Sequence, residues 1–157
     1  MKLFLRAIFA LSLITSCSSN SSTDRDWPSV TVQDIDGVNI NSSVVFNSNT
    51  TVIAMWSTTC IPCRVELPQL QEFAATHPEI DVIAVNLGDV SDSVQKYAAE
   101  IGLTMPVIID FEGRVSTALG ITSVPSTLVL SPTGKVVTTH LGEITAAELA
   151  LLVETSS

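Results

Sequence analysis

Cys60-Ile61-Pro62-Cys63 sets two thiols two residues apart, and Glu66 follows three positions beyond the second. Such a pair can serve as half of a metal site, as a structural bridge, or as a disulfide that opens and closes. A structural zinc ion asks for four ligands. The remaining candidates are Cys17, His77 and His140, and the histidines stand 63 positions apart rather than three to five. Zinc therefore fits poorly, and no metal site is assigned. A bridge across so small a loop constrains the unfolded chain little and stabilises little. An inert buried pair stays as the second reading.

The redox reading draws on location. The pair follows an apolar run that reads as a buried strand and opens a segment that reads as a helix. Unpaired N–H groups and the dipole at a helix N-terminus stabilise an anion. Lowering a thiol pKa from about 8.5 to about 7 raises the thiolate share at pH 7 from roughly 3% to one half. Cys60 holds that position. Pro62 fits an early helical site, where its missing N–H would be unpaired anyway. Cys63 falls on nearly the same helix face as Cys60, and Glu66 lies on it one turn later. Spacing leaves two fates for Glu66. It is a solvated surface carboxylate, or an acid/base beside Cys63 whose pKa is raised by partial burial.

The positioning elements alternate between strands and helices. SVTVQDIDGVNI and SSVVF are predicted short strands around the Asp36-Gly37 turn. Thr50 to Trp56 and Ile80 to Leu87 are apolar runs expected of strands buried on both faces. Cys60 to His77 has helical spacing at Cys63, Leu67, Leu70 and Phe73, with Pro68 inside and a kink expected there. Ser91 to Ile101 is a second helix, N-capped by Ser91 or Asp92 and stopped by Gly102. MPVIID is strand-like, Arg114 to Leu119 is a short helix, and STLVLS and KVVTTHL make a hairpin around Ser131–Gly134. Ala146 to Glu154 closes the chain as a helix. The expectation is an α/β fold, a mixed central sheet with helices on both faces and an N-terminal β-hairpin extension.

The 157 residues suit one domain with a tail, and 46% hydrophobic residues suffice for its core. A formal charge of −9 argues against general binding of nucleic acid or anionic membrane. Residues 1–16 read as a targeting segment: Lys2 and Arg6, then the short apolar run AIFALSLIT. Ile14-Thr15-Ser16-Cys17 resembles the lipobox of bacterial lipoproteins, which implies cleavage before Cys17 and a lipid anchor on it. The mature chain would keep 16 acidic and five basic residues, a formal −11. Residues 17–29 are then the lipidated cysteine and a polar tether, about 20 Å long as a coil and about 40 Å stretched. The domain is expected over residues 30–157, outside the cytoplasm, facing the periplasm and held at a membrane. Ser18 after the cysteine resembles outer-membrane sorting, which leaves the choice of membrane open.

From Val30 onward the chain resembles the thioredoxin superfamily, and within it the membrane-tethered TlpA/ResA-like thiol–disulfide oxidoreductases. The likeness rests on Trp56, the Cys60–Cys63 centre, Glu66 and Pro68, then DVIAVNLG, MPVIID and SVPSTLVLSPTGKVV. It implies a thioredoxin-like fold and catalysis by Cys60, Cys63 and Glu66. It also implies a cis Pro125 beside the cysteines, with Val124 pairing its backbone to substrate and Trp56 completing the substrate-binding set. The resemblance further implies a reductant of exported proteins, with apocytochrome c before haem attachment among its candidate substrates. Its electrons would come from a membrane thiol donor. No cofactor is called for, and a monomer is expected.

Two departures stand out. The buried aspartate of many thioredoxins, six residues before the first cysteine, is Ala54 here, so a relay through that group is excluded. The tryptophan that commonly precedes that cysteine is Thr59. Two rival functions are weighed. Peroxiredoxin-like peroxidases resemble Pro-x-x-x-Thr/Ser-x-x-Cys, but Ile53 stands in the proline position although Ser57 fits. A copper-binding module could use two thiolates, yet such carriers tend to show wider cysteine spacing and a histidine ligand.

Overall fold

The structure is a computed structural model and describes residues 25–156. The leader, Cys17 and most of the expected tether lie outside the described residues. β-branched and aliphatic residues over Thr50–Trp56 form strand β4, in which every residue from Thr51 to Trp56 is buried. It lies parallel to β5 (Ile80–Leu87) and antiparallel to β7 (Ser126–Leu130). Both of its faces are covered, which accounts for the unbroken apolar run.

Outward from this centre, β5 pairs in parallel with β6 (Val107–Asp110), and β7 turns through Ser131–Gly134 into β8 (Lys135–Leu141). The hairpin of β2 (Thr31–Asp34) and β3 (Asn39–Asn41) joins the far edge through β6. At the opposite edge β1 (Arg25–Asp26) pairs with β8. The described strands thus form one mixed sheet in the order β1-β8-β7-β4-β5-β6-β2-β3.

Side-chain alternation along β4 feeds two cores. Val52, Ala54 and Trp56 face α1 (Ile61–Thr76), α2 (Ser91–Glu100) and α4 (Ala146–Glu154). Ile53 and Met55 face α3 (Arg114–Leu119) and the segment from Trp27 to Phe46. The expected α/β fold with helices on both faces is present, and the β2–β3 hairpin is its N-terminal extension. Helix α1 continues through Pro68 as one element of 16 residues.

Three local expectations are corrected. SSVVF is not a strand: Ser42–Val45 forms a single 3-10 turn whose cap is Asn41, with the Asn41 side chain accepting the Ser43 N–H. The buried Ser42 explains it. Its hydroxyl donates to the Pro28 carbonyl and accepts the Val30 N–H, while its carbonyl accepts the Trp27 indole N–H. These bonds also move the expected start of the domain at residue 30. Arg25–Asp26 is already a strand, Arg25 donates to the Leu119 carbonyl, and Trp27 is buried. The ordered body therefore includes residues assigned to the tether. Finally, α2 is capped by Val90, with no side-chain bond, rather than by Ser91 or Asp92. The expected stop holds, since Gly102 follows the last turn with φ of 65°, a conformation glycine adopts freely.

Candidate active site

Three residues, Ser57–Thr59, connect the buried end of β4 to Cys60, the N-cap of α1. The Cys60 N–H bonds the Ser57 carbonyl at 3.1 Å, closing a tight turn. Cys60 and Cys63 are joined as a disulfide with Cα atoms 5.3 Å apart. The Cys63 N–H donates to Cys60 Sγ at 3.2 Å. The first sulfur thus takes the N-cap place normally held by an oxygen, where helix N–H groups favour a thiolate. Cys60 is 8% exposed and Cys63 1%. Of the two sulfurs Cys60 is the nearer to solvent, and Cys63 is closed off within the core cluster.

One turn on, α1 buries Glu66 in the same stripe as Cys63, Leu67, Leu70 and Phe73. Glu66 is 2% exposed, which removes the reading of a solvated surface carboxylate. Its Oε1 accepts the Thr127 hydroxyl at 3.0 Å, and among the described residues Oε2 has no hydrogen-bond partner. Burial drives the carboxyl up to about 7. The Thr127 bond pulls it down, and the Glu143 carboxylate pushes it up. A carboxyl that titrates near neutrality is suited to exchange a proton with a thiol.

Thr127 was not foreseen. It lies in β7, two residues past Pro125 and directly across from Ala54 on β4. The aspartate position of many thioredoxins is therefore a methyl group here, and its cross-strand neighbour holds a carboxyl supplied by the helix. A threonine inside the otherwise apolar TLVL run is the only signal the sequence offered.

The Val124–Pro125 bond is cis. Pro125 is buried and its carbonyl accepts the Gly142 N–H at 3.0 Å. Val124 is half-buried and packs against the cluster that contains Cys60 and Cys63. Trp56 is in that cluster too, and at 1% exposure its place is packing beneath the cysteines. It shapes the site from beneath: its ring lies 4.9 Å from Tyr97, over whose ring the Arg64 guanidinium sits at 4.7 Å. Arg64 in turn pairs with Glu100.

Among the described residues, no three His, Cys, Asp or Glu side chains gather where they could hold a metal ion. His77 caps the end of α1, its Nδ1 3.0 Å from the Phe73 carbonyl, and His140 Nε2 lies 3.2 Å from the Glu143 carbonyl. Ile53, which occupies the proline position of the peroxidatic pattern, is buried within β4. No helix among the described residues is long and apolar enough to cross a membrane.

Residues 23–139 match the AhpC/TSA family. The thiol-disulfide oxidoreductase ResA of Halalkalibacterium halodurans is 27% identical over 154 residues, covering 92% of this chain and 87% of that protein. That of Geobacillus thermodenitrificans is 32% identical over 96 residues, 60% of this chain and 55% of the relative, so this match spans about half of that protein. The crystal structure of StoA from Bacillus subtilis superposes with a TM-score of 0.68 at 26% identity, covering 81% of this chain and 97% of StoA. Fold, paired cysteines and relatives agree, and the chain belongs to the AhpC/TSA family as a ResA-like thiol–disulfide oxidoreductase of thioredoxin fold.

Proposed function

We propose that this protein is an extracytoplasmic disulfide reductase, tethered to a membrane through Cys17, that reduces disulfides in exported proteins. The observation that carries the reading is the buried Glu66 carboxyl one turn beyond the inaccessible Cys63, titrating near 7.

The cycle begins with the enzyme as a dithiol. The Cys60 thiolate attacks one sulfur of the substrate disulfide, forms a mixed disulfide and expels the other sulfur as a thiolate, which takes up a proton. Ionised Glu66 then accepts the proton of the Cys63 thiol. The Cys63 thiolate attacks Cys60 Sγ, closes the Cys60–Cys63 disulfide and expels the second substrate sulfur as a thiolate. That thiolate takes up the proton that Glu66 gives back, so the substrate leaves as a dithiol. The substrate has gained two electrons and the enzyme has lost two. A membrane thiol donor would return them by the reverse exchange.

The reductase direction draws on residue chemistry. Ile61 and Pro62, between the cysteines, supply no cation or imidazole to over-stabilise the thiolate. The ResA-like kinship and the leader with Cys17 support an exported protein substrate, apocytochrome c before haem attachment among the candidates. The cis Pro125 and the backbone of Val124 would align the substrate strand. Equilibration of the protein in defined thiol–disulfide buffers tests the direction. A potential near the thioredoxin value of about −270 mV, or lower, supports a reductase; one near about −120 mV makes the protein a disulfide donor and overturns the proposal.

A further inference from the structure

The short loop before Cys60 is held by a group that the catalytic cycle does not use. The Asp89 carboxylate accepts the Thr58 backbone N–H at 2.7 Å on Oδ2 and the Thr58 hydroxyl at 2.9 Å on Oδ1. Oδ2 also accepts the Asn86 side-chain amide at 2.8 Å, and the Asp89 N–H returns a bond to Asn86 Oδ1 at 3.1 Å. Asn86 is fully buried near the end of β5, opposite Trp56 in the parallel register. A rigid strand thus fixes an amide, the amide fixes a carboxylate, and the carboxylate grips the middle of the redox loop.

The three loop residues have no ladder partners of their own. The Cys60 N–H bond to the Ser57 carbonyl and the contact between the Ser57 and Thr59 hydroxyls hold the turn on itself, and the Asp89 bonds tie it to the sheet. Bonds to an ionised acceptor are the strong class of hydrogen bond. Two residues after the grip comes Cys60, whose sulfur acts as N-cap only while the loop delivers it at the correct height above the first turn of α1. Small misplacements near reacting groups are costly.

We infer that Asp89 is a positioning residue, a latch from the β5–α2 connection that sets Cys60 in its N-cap place as the attacking thiol. The inference rests on the role assigned to Cys60 above. A second reading of the same contact, a carboxylate acting on the thiol through its charge alone, predicts the opposite sign. A lost latch removes helix N–H stabilisation and raises the thiol midpoint, whereas a lost negative charge lowers it.

The test is the rate of Cys60 alkylation by iodoacetamide against pH, using the reduced full-length protein. Asp89→Ala is compared with Asp89→Asn, which keeps one acceptor oxygen, and with Thr58→Val, which removes the hydroxyl bond and leaves the charge in place. The latch predicts that Asp89→Ala raises the Cys60 midpoint by about half a unit or more. The thiolate share at a fixed pH below the midpoint then falls about threefold. The other two variants should fall between it and wild type. Thr58→Val carries the test if Asp89→Ala fails to fold. Variants that lose thermal stability with an unmoved midpoint would overturn the inference, as would Asp89→Ala and Asp89→Asn lowering it equally. A wild-type Cys60 that alkylates no faster than an ordinary thiol would overturn its attacking role, and the latch with it.

Discussion

Two glutamates of this protein are each hydrogen-bonded to a threonine, and their titrations move in opposite directions. Glu148 stands at the start of α4 in a capping box: it accepts the Thr145 N–H and hydroxyl, while Thr145 Oγ1 accepts the Glu148 N–H. It is exposed, and those bonds hold its carboxyl below the usual range. Glu66 accepts one hydroxyl from Thr127 and is pushed up to about 7. The threonine bond stabilises the ionised form in both places. What differs is water: Glu66 has lost it and Oε2 has received nothing in return. Desolvation outweighs a single neutral hydrogen bond. The same pair of residue types is a structural cap at one site and, in the proposed cycle, a proton exchanger at the other.

The comparison breaks most visibly when the buried carboxyl is made neutral. Glu66→Gln should slow resolution of the Cys60 mixed disulfide on the order of a hundredfold near pH 8, measured by stopped-flow with a model disulfide. Formation of the mixed disulfide by Cys60 should change far less. Equal rates would return Glu66 to a packing role.

The same substitution should change how stability depends on pH. Glu66 ionises near its ordinary 4.5 in the unfolded chain and near 7 in the folded one. Between those values the folded chain holds the extra proton, so stability falls as pH rises from about 4.5 to about 7 and is level above. The span is at most about 3 kcal/mol. Glu66→Gln should remove that slope. Glu148 has the opposite sign: its contribution is present at neutral pH and is lost as pH falls through its lowered folded midpoint.

Thr127→Val sharpens the comparison by removing the one bond that favours the Glu66 anion. The carboxyl midpoint should rise above about 7, the pH profile of resolution should follow it upward, and stability should drop by about 1–3 kcal/mol at neutral pH. Denaturant melts and the resolution profile read both effects. The smallest expected change is Thr145→Ala, a lost cap worth about 1 kcal/mol with no effect on thiol chemistry.

The same contrast marks what was legible in the sequence. The buried strand Thr50–Trp56 and the Cys60–Cys63 pair at a helix start are local patterns, and each formed as its spacing implied. The burial of Glu66 was half-visible, because it lies in step with Cys63 and Leu70 on the apolar stripe of α1. What holds it was not visible. Thr127 is 61 residues away, and the Asp89 grip on Thr58 spans 31. Periodicity carries no information about a bond across such separations. Ser42 likewise gathers Trp27, Pro28 and Val30 from 12 to 15 residues upstream. A polar residue in SSVVF therefore made a turn where alternation alone suggested a strand.

The most direct measurement is the titration of the Glu66 side-chain carboxyl, followed by carbon NMR in protein labelled at glutamate and assigned with Glu66→Gln. The account predicts one glutamate carboxyl with a midpoint near 7, absent from the variant, alongside a lowered midpoint for Glu148. A Glu66 midpoint near the ordinary 4.5 would contradict it. The carboxylate would then be ionised throughout the working range and Cys63 would have to lose its proton to some other group.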